Sequence, residues 1–301
     1  MEEALKKNRI SLYKVIALLV LIIVSTVSCA QREVIQPQRE PAKIAVVLGG
    51  GAARGFAHIG VLKILESNKI PINMIIGTSA GSFVGSLYAY GLNAFQIQKI
   101  SLDIERGDIA DFAIPDNGFI KGDLLEDYVN RMLRNTLMEK LRIPFYAVAT
   151  DIQTGKEMVF GSGNTGKAVR ASCAIPGVFN PVRIGDRMYV DGSVVSPVAV
   201  DAAKRLGADV VIAIDISSEL ATAKPSGTIE TILQSINIMS SKISVTQLSR
   251  ADVVIRPAVG QIGSADFTKK HEAILEGEKA ALQSLPKIQE IVAQLKREGR
   301  L

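Results

Sequence analysis

The sequence predicts an α/β fold: three layers, α/β/α, built around a mainly parallel central sheet. Three observations carry that prediction. From Lys43 onward, short apolar runs of strand length alternate with stretches of helical periodicity. One run, "DVVIAID" at 209–215, is apolar throughout its interior, as strands buried on both faces of a parallel sheet are. Two of the runs pass through glycine-rich turns into helices, the form of a strand–helix crossover.

The first strand is "KIAVVL" (43–48). The stretch "GFAHIGVLKILES" (55–67) follows a glycine-rich turn. Its Phe56, Ile59, Leu62, Ile64 and Leu65 recur at helical spacing. "INMIIG" (72–77) is the next strand, and "AGSFVGSLYAYG" (80–91) is a small-residue helix stopped by Gly91. A mostly helical section covers about 93–141, with "DNGFIKGD" as a glycine-punctuated loop inside it. A mobile cover over 93–122 is one expectation for that section. Further strands are predicted at 144–151, 156–161, 187–192 and 209–215, with a late one in "ADVVIRP" (251–257). The C-terminal segment reads as an amphipathic helical extension interrupted at Pro286. No internal repeat is visible.

The chain has 301 residues, 48% hydrophobic and 22% charged, the balance of a globular protein with a sizeable core. The formal net charge is +5, and Lys6, Lys7, Arg9 and Lys14 place part of it at the N-terminus. No Lys/Arg cluster is interleaved with aromatics, so a nucleic-acid partner is not expected. Two cysteines, Cys29 and Cys173, make no disulfide framework and no Cys-x-x-Cys pair. With only His58 and His271 as imidazoles, no metal-ligand cluster is visible, and no metal is expected.

The N-terminus reads as a leader. A basic region ends at Lys14, and "VIALLVLIIVSTV" (15–27) has the length of a signal-peptide apolar core rather than of a bilayer span. Ser28 and Cys29 follow. This arrangement resembles the lipobox of bacterial lipoproteins, although Thr26 stands where Leu is usual. The resemblance implies acylation of Cys29 and anchoring in the cell envelope. Ala30 after the cysteine favours the outer membrane. The organisation is then a lipoprotein-type signal peptide at 1–28, a flexible Pro-containing tether at 29–42, and a domain at 43–301.

Two motifs could carry chemistry. "GTSAG" (77–81) fits Gly-x-Ser-x-Gly between a buried strand and a helix, the context of a nucleophile elbow at Ser79. The bland alternative is a serine that caps a helix N-terminus. "LGGGAARG" (48–55) also follows a strand and opens a helix. A dinucleotide loop needs tighter glycine spacing and a ribose-binding acid at the next strand end, and a Walker loop needs Gly-Lys-Ser/Thr. A third reading is an oxyanion hole of backbone N–H groups beside the serine. Three groups could serve as base. His58 reads as a packing residue on its helix. His271, with Asp215, would complete a Ser–Asp–His order. Asp191, in "YVDGS" at a strand end, could point into a cleft, or be an ordinary Asp-Gly turn. An unperturbed aspartate is a poor base, and working near neutrality asks for partial desolvation. Cys173 reads as a small buried hydrophobe.

Taken in order, "GGGAARG", "GTSAG" and "DGS" resemble the patatin-like phospholipase family. "GFIKGD", "ATDIQTGKEMVF", "RASCAIPGVFNPV" and "ADVVIRPAVGQIGSADF" extend the likeness to bacterial members, over nearly all of residues 43–280. The resemblance implies a patatin-like hydrolase domain with a Ser79–Asp191 dyad and no histidine. It implies an oxyanion hole from the N–H groups of Gly50, Gly51 and Ala52. Arg54 would orient the loop or meet a lipid phosphate. It also implies a lipid or other acyl-ester substrate, and no metal or organic cofactor. Ser193 departs from the family's usual Gly or Ala after Asp-Gly. A non-catalytic dinucleotide-binding module is the alternative of a different class.

Overall fold

The computed structural model describes residues 1–27, 40–111, 118–217 and 227–301. It divides into two units, Met1–Glu40 and Pro41–Leu301. The first holds one helix, α1 (Glu2–Val27), with exposed apolar side chains such as Leu12, Leu18 and Leu21. Among the described residues no helix is long and apolar enough to cross a membrane. Cys29 and most of the expected tether lie outside the described residues, as does part of the 93–122 segment.

In the second unit the elements run β1 (Ile44–Leu48), α2 (Phe56–Ser67), β2 (Met74–Thr78), α3 (Ala80–Tyr90), α4 (Ala94–Asp103) and α5 (Asp123–Met132). They continue with β3 (Phe145–Asp151), β4 (Glu157–Phe160), α6 (Thr165–Ser172), β5 (Val182–Ile184), β6 (Arg187–Asp191) and α7 (Val200–Arg205). β7 (Val210–Ile214), α8 (Thr228–Leu248), β8 (Val253–Ile255) and α9 (Lys270–Arg297) complete the unit. The sheet order is β5-β6-β3-β2-β1-β7-β8, with β4 on the other edge of β3. β3, β2, β1, β7 and β8 are parallel, while β4, β5 and β6 pair antiparallel. The fold is therefore a mixed, mainly parallel sheet flanked by helices.

Strand alternation explains the layers. Ile44, Val46 and Leu48 point into one core, shared with Ile59, Leu62 and Leu65 of α2 and Ala273, Ile274 and Ala281 of α9. Ala45 and Val47 point into the opposite core, shared with Val200, Ala202 and Ala203 of α7 and Leu248 of α8. Apolar side chains on both faces of β1 make its sequence a continuous apolar run.

The main differences from the sequence expectation lie in α9 and α8, and the short elements β5, α6 and α7 were not anticipated either. α9 runs without interruption through Pro286. The proline frees the carbonyl four residues earlier, that of Leu282. Pro286 and Leu282 are both exposed, so the freed carbonyl lies on the solvent side of the helix, away from the core. α8, twenty-one residues long, has no counterpart in the sequence reading. Its buried face carries Ser240, Ser244 and Gln247, so an apolar period does not mark it.

Candidate active site

β3 organises the site. β2 pairs with β3 up to Thr78↔Val148, and β6 pairs with β3 from Ala149↔Asp191 onward. β4 overlaps both registers and so must occupy the opposite edge of β3. β2 and β6 therefore share one edge and meet nearly end to end. Ser79, the residue after β2, and Asp191, the last residue of β6, arrive at the same point.

The turn at Ser79 is strained. Its φ of 53° and ψ of −124° lie where a residue with a Cβ costs about 1–3 kcal/mol. The flanking glycines make the turn possible. A Cβ on Gly77 would stand 2.4 Å from Ser82 Cα, and one on Gly81 would stand 2.0 Å from the Leu48 carbonyl oxygen. The Ser79 side chain makes no cap hydrogen bond to α3. Its Oγ instead donates to Asp191 Oδ2 at 2.6 Å. The Ser79 N–H donates to Ser172 Oγ at 2.9 Å, and that hydroxyl donates to the Val148 carbonyl at 2.6 Å. Ser79 is 4% exposed and Asp191 2%.

Asp191 is held from three directions. Its Oδ1 accepts from the Ser193 N–H at 2.7 Å, its carbonyl accepts from Thr150 Oγ1 at 2.9 Å, and its own N–H donates to the Ala174 carbonyl at 2.8 Å. Burial pushes its carboxyl up to about 6, against hydrogen bonds from Ser79 and Ser193 that favour the anion. The carboxylate is thus mostly ionised at neutral pH yet far more basic than an exposed aspartate.

The glycine loop is pinned at alternate peptides. The Gly49 carbonyl meets His58 Nε2 at 2.8 Å, and the Gly50 N–H donates to the Pro197 carbonyl at 3.0 Å. The Gly51 carbonyl accepts from the Arg54 N–H at 3.1 Å and from Arg54 Nε at 3.2 Å. Among the described residues the N–H groups of Gly51 and Ala52 make no hydrogen bond. The Gly50 N–H, expected to share in an oxyanion hole, is engaged elsewhere, because the chain leaves β1 towards Pro197 at that residue.

Arg54 is 1% exposed. Its Nη2 donates to Asn237 Oδ1 at 2.9 Å and to Ser264 Oγ at 3.2 Å. Burial lowers its guanidinium to about 10, and the charge of Asp215 pulls the other way, so the group stays charged at neutral pH. Its contacts tie the glycine loop to α8 and to the segment around Ser264. His271 is exposed on the first turn of α9, and Asp215 pairs with Arg256 Nε at 3.5 Å. The structure does not join either to Ser79. His58 is fully buried, and burial lowers its imidazole to about 4. Cys173 lies near Ser82 Oγ at 3.8 Å, and burial, with the charge of Asp191, pushes its thiol up. Among the described residues no cluster of His, Cys, Asp or Glu could hold a metal ion.

Two cavities meet at Ser79. One, about 240 Å³, is lined almost wholly by apolar groups, among them Phe56, Phe83, Ile109, Leu125, Val178 and Phe179. The other, about 40 Å³, is lined by Gly51, Asp191, Ser193, Asn237, Ser240 and Ser264. Sequence reasoning missed Ser172, Asn237 and Ser264. Asn237 and Ser264 lie 183 and 210 residues from Arg54, and no local motif marks such partners.

An α/β sheet that holds a serine on a strained strand–helix turn, against a buried acid and beside an apolar cavity, has the form of a lipid-ester hydrolase. A patatin-like phospholipase family model matches residues 46–204, more than half of the chain, and the chain belongs to that family, one of carboxylic-ester hydrolases. An uncharacterized NTE family protein of Mycobacterium tuberculosis is 28% identical over 275 residues, which is 81% of this chain and 47% of that protein. Patatin-like phospholipase domain-containing protein 6 of Homo sapiens is 33% identical over 184 residues, covering 58% of this chain and 13% of that protein. Among solved structures, VipD from Legionella pneumophila aligns with a TM-score of 0.47 at 14% identity, covering 82% of this chain and 67% of VipD. The chain spans about half the length of the curated mycobacterial relatives it matches.

Proposed function

We propose that this chain is a serine lipid acyl hydrolase that uses Ser79 as nucleophile and Asp191 as its base. The observation that carries the reading is the 2.6 Å hydrogen bond from Ser79 Oγ to a buried carboxylate whose basicity burial has raised. Ser79 Oγ attacks the ester carbonyl while Asp191 takes its proton. The N–H groups of Gly51 and Ala52 receive the developing oxyanion. Asp191 returns the proton to the departing alcohol. It then takes one from the water that attacks the acyl carbonyl and gives it to Ser79 Oγ as the bond to the acyl group breaks, which releases the fatty acid and restores the serine. The chain's own residues supply every step, so the mechanism calls on no metal or organic cofactor.

The acyl chain occupies the apolar cavity of about 240 Å³. The smaller cleft, with Ser193, Asn237 and Ser240, takes the alcohol side of the ester. Phospholipid, lysophospholipid and other acyl esters all fit that division. The basic and apolar N-terminal sequence ahead of Cys29 supports a lipoprotein anchored in a bacterial envelope, by preference the outer membrane. Growth with an alkyne-tagged fatty acid tests this, since a tag absent from Cys29 would remove the anchor.

A fluorophosphonate reagent followed by intact-mass and peptide mapping tests the site. The expected result is a single adduct on Ser79, lost in Asp191→Asn and kept in His271→Ala. A folded protein that forms no adduct in the presence of detergent overturns the reading and leaves Ser79 a structural residue.

A further inference from the structure

We propose that His58 is a positioning residue for the oxyanion loop, tying down the Gly49–Gly50 peptide so that the free N–H groups of Gly51 and Ala52 face the reacting carbonyl. The inference rests on the Ser79–Asp191 reading given above. Four observations support it.

The first is the hydrogen bond itself. His58 Nε2 lies 2.8 Å from the Gly49 carbonyl oxygen, which only accepts, so Nε2 carries the proton. The second is what lies on the other side of the same peptide. The Gly50 N–H donates to the Pro197 carbonyl, so both polar groups of the Gly49–Gly50 peptide are bonded and its plane is fixed. Arg54 does the same for the Gly51 carbonyl two peptides on. His58 and Arg54 thus bracket the loop. Consecutive glycines restrict their own backbone little, so the loop's shape must come from such ties.

The third is the orphaned nitrogen. With the proton on Nε2, Nδ1 is a bare acceptor, and it is buried without a partner. The ring is fully buried in the first turn of α2, where an apolar ring would meet no such penalty. The fourth is location. The Gly49 N–H makes the last bond of β1 to the Ile214 carbonyl, and the next peptide leaves the sheet. At that exit the Gly49 carbonyl has no strand partner, and His58, nine residues on, supplies the donor.

A packing histidine and a positioning histidine differ in what a phenylalanine does. His58→Phe keeps the ring and removes both the donor and the orphaned nitrogen. His58→Gln sets an amide N–H near the Nε2 position, whereas the shorter His58→Asn does not reach it. Kinetics on a short-chain p-nitrophenyl ester and urea denaturation are measured for each, with Ser79→Ala alongside. The expected result for His58→Phe is stability equal to or above the parent, with kcat down by about 10- to 100-fold and KM within about twofold. His58→Gln is expected to recover most of the rate. A folded His58→Phe at the parent kcat overturns the proposal. So does a kcat loss that His58→Gln does not relieve. If His58→Phe fails to fold, a folded His58→Asn decides instead: full activity in it overturns the proposal, and a loss that His58→Gln lacks supports it. Hydrolysis surviving in Ser79→Ala would sink the reading of the site itself, whereas an inert Ser79→Ala beside a fully active His58→Phe would sink this inference alone.

Discussion

Replacing Asp191 by asparagine should abolish activity and at the same time stabilise the protein at neutral pH. Burial raises the carboxyl from 3.8 to about 6. A shift of about 2 units corresponds to about 3 kcal/mol of preference for the protonated form in the folded state. For an acid whose folded value is raised, the favourable contribution is complete below 3.8 and is lost as pH rises through about 6. Above that pH the native protein carries an anion that the unfolded chain would hydrate better. Asparagine never ionises, and its side-chain oxygen can still accept from the Ser193 N–H. Urea denaturation of parent and variant from about pH 4 to about pH 7.5 reads the difference directly. The advantage of the variant should grow across that window by about 3 kcal/mol, while its reaction with a fluorophosphonate falls by at least about 100-fold. A stability difference that stays flat with pH would refute the reasoning, because it would mean that the folded state does not disfavour the Asp191 charge.

Other outcomes follow from the same geometry. Ser193→Ala keeps the backbone N–H that bonds Asp191 Oδ1 but removes the hydroxyl, which also favours the Asp191 anion, so the acidic limb of the kcat/KM profile should move to higher pH than in the parent. Gly81→Ala drives a Cβ to 2.0 Å from the Leu48 carbonyl oxygen, a backbone clash that should cost about 3 kcal/mol or more and show as lost soluble yield. His271→Ala should leave kcat within about twofold of the parent, since that side chain is exposed. His58, lowered by burial from 6.5 to about 4, contributes stability that is present above 6.5 and lost as pH falls towards 4. That loss amounts to about 3 kcal/mol and opposes the Asp191 contribution over much the same range. Asp191→Asn alone should therefore unfold more readily in acid, a trend that urea titration at each pH would detect.

The parallel strands were legible because they are apolar on both faces, and the elbow was legible because its glycines are local to Ser79. From its strand-end position Asp191 was one candidate base among three groups, and the family resemblance alone singled it out. Its meeting with Ser79 could not be read off, because it depends on β2 and β6 sharing one edge of β3, and pairing register leaves no trace in either segment. α8 was hidden by its own chemistry. It buries serines and a glutamine against the 193–198 segment, with Ser240 Oγ donating to the Ser193 carbonyl. The engagement of the Gly50 N–H was hidden as well, since Pro197 lies far along the chain and only the folded sheet brings its carbonyl to the loop.

The end-to-end meeting of β2 and β6 on β3 also means that the proposed site draws on two distant parts of the chain. Ser79 and Asp191 are 112 residues apart in sequence. A chain released from synthesis only as far as β3 holds a serine, a glycine loop and much of the apolar lining, but no carboxylate beside the hydroxyl. The Ser79–Asp191 pair exists only when β6 is paired antiparallel with the edge of β3 that β2 also occupies. Under the proposed mechanism, a chain in which β6 has not yet paired holds the nucleophile without its base, and the site is complete only with the completed sheet.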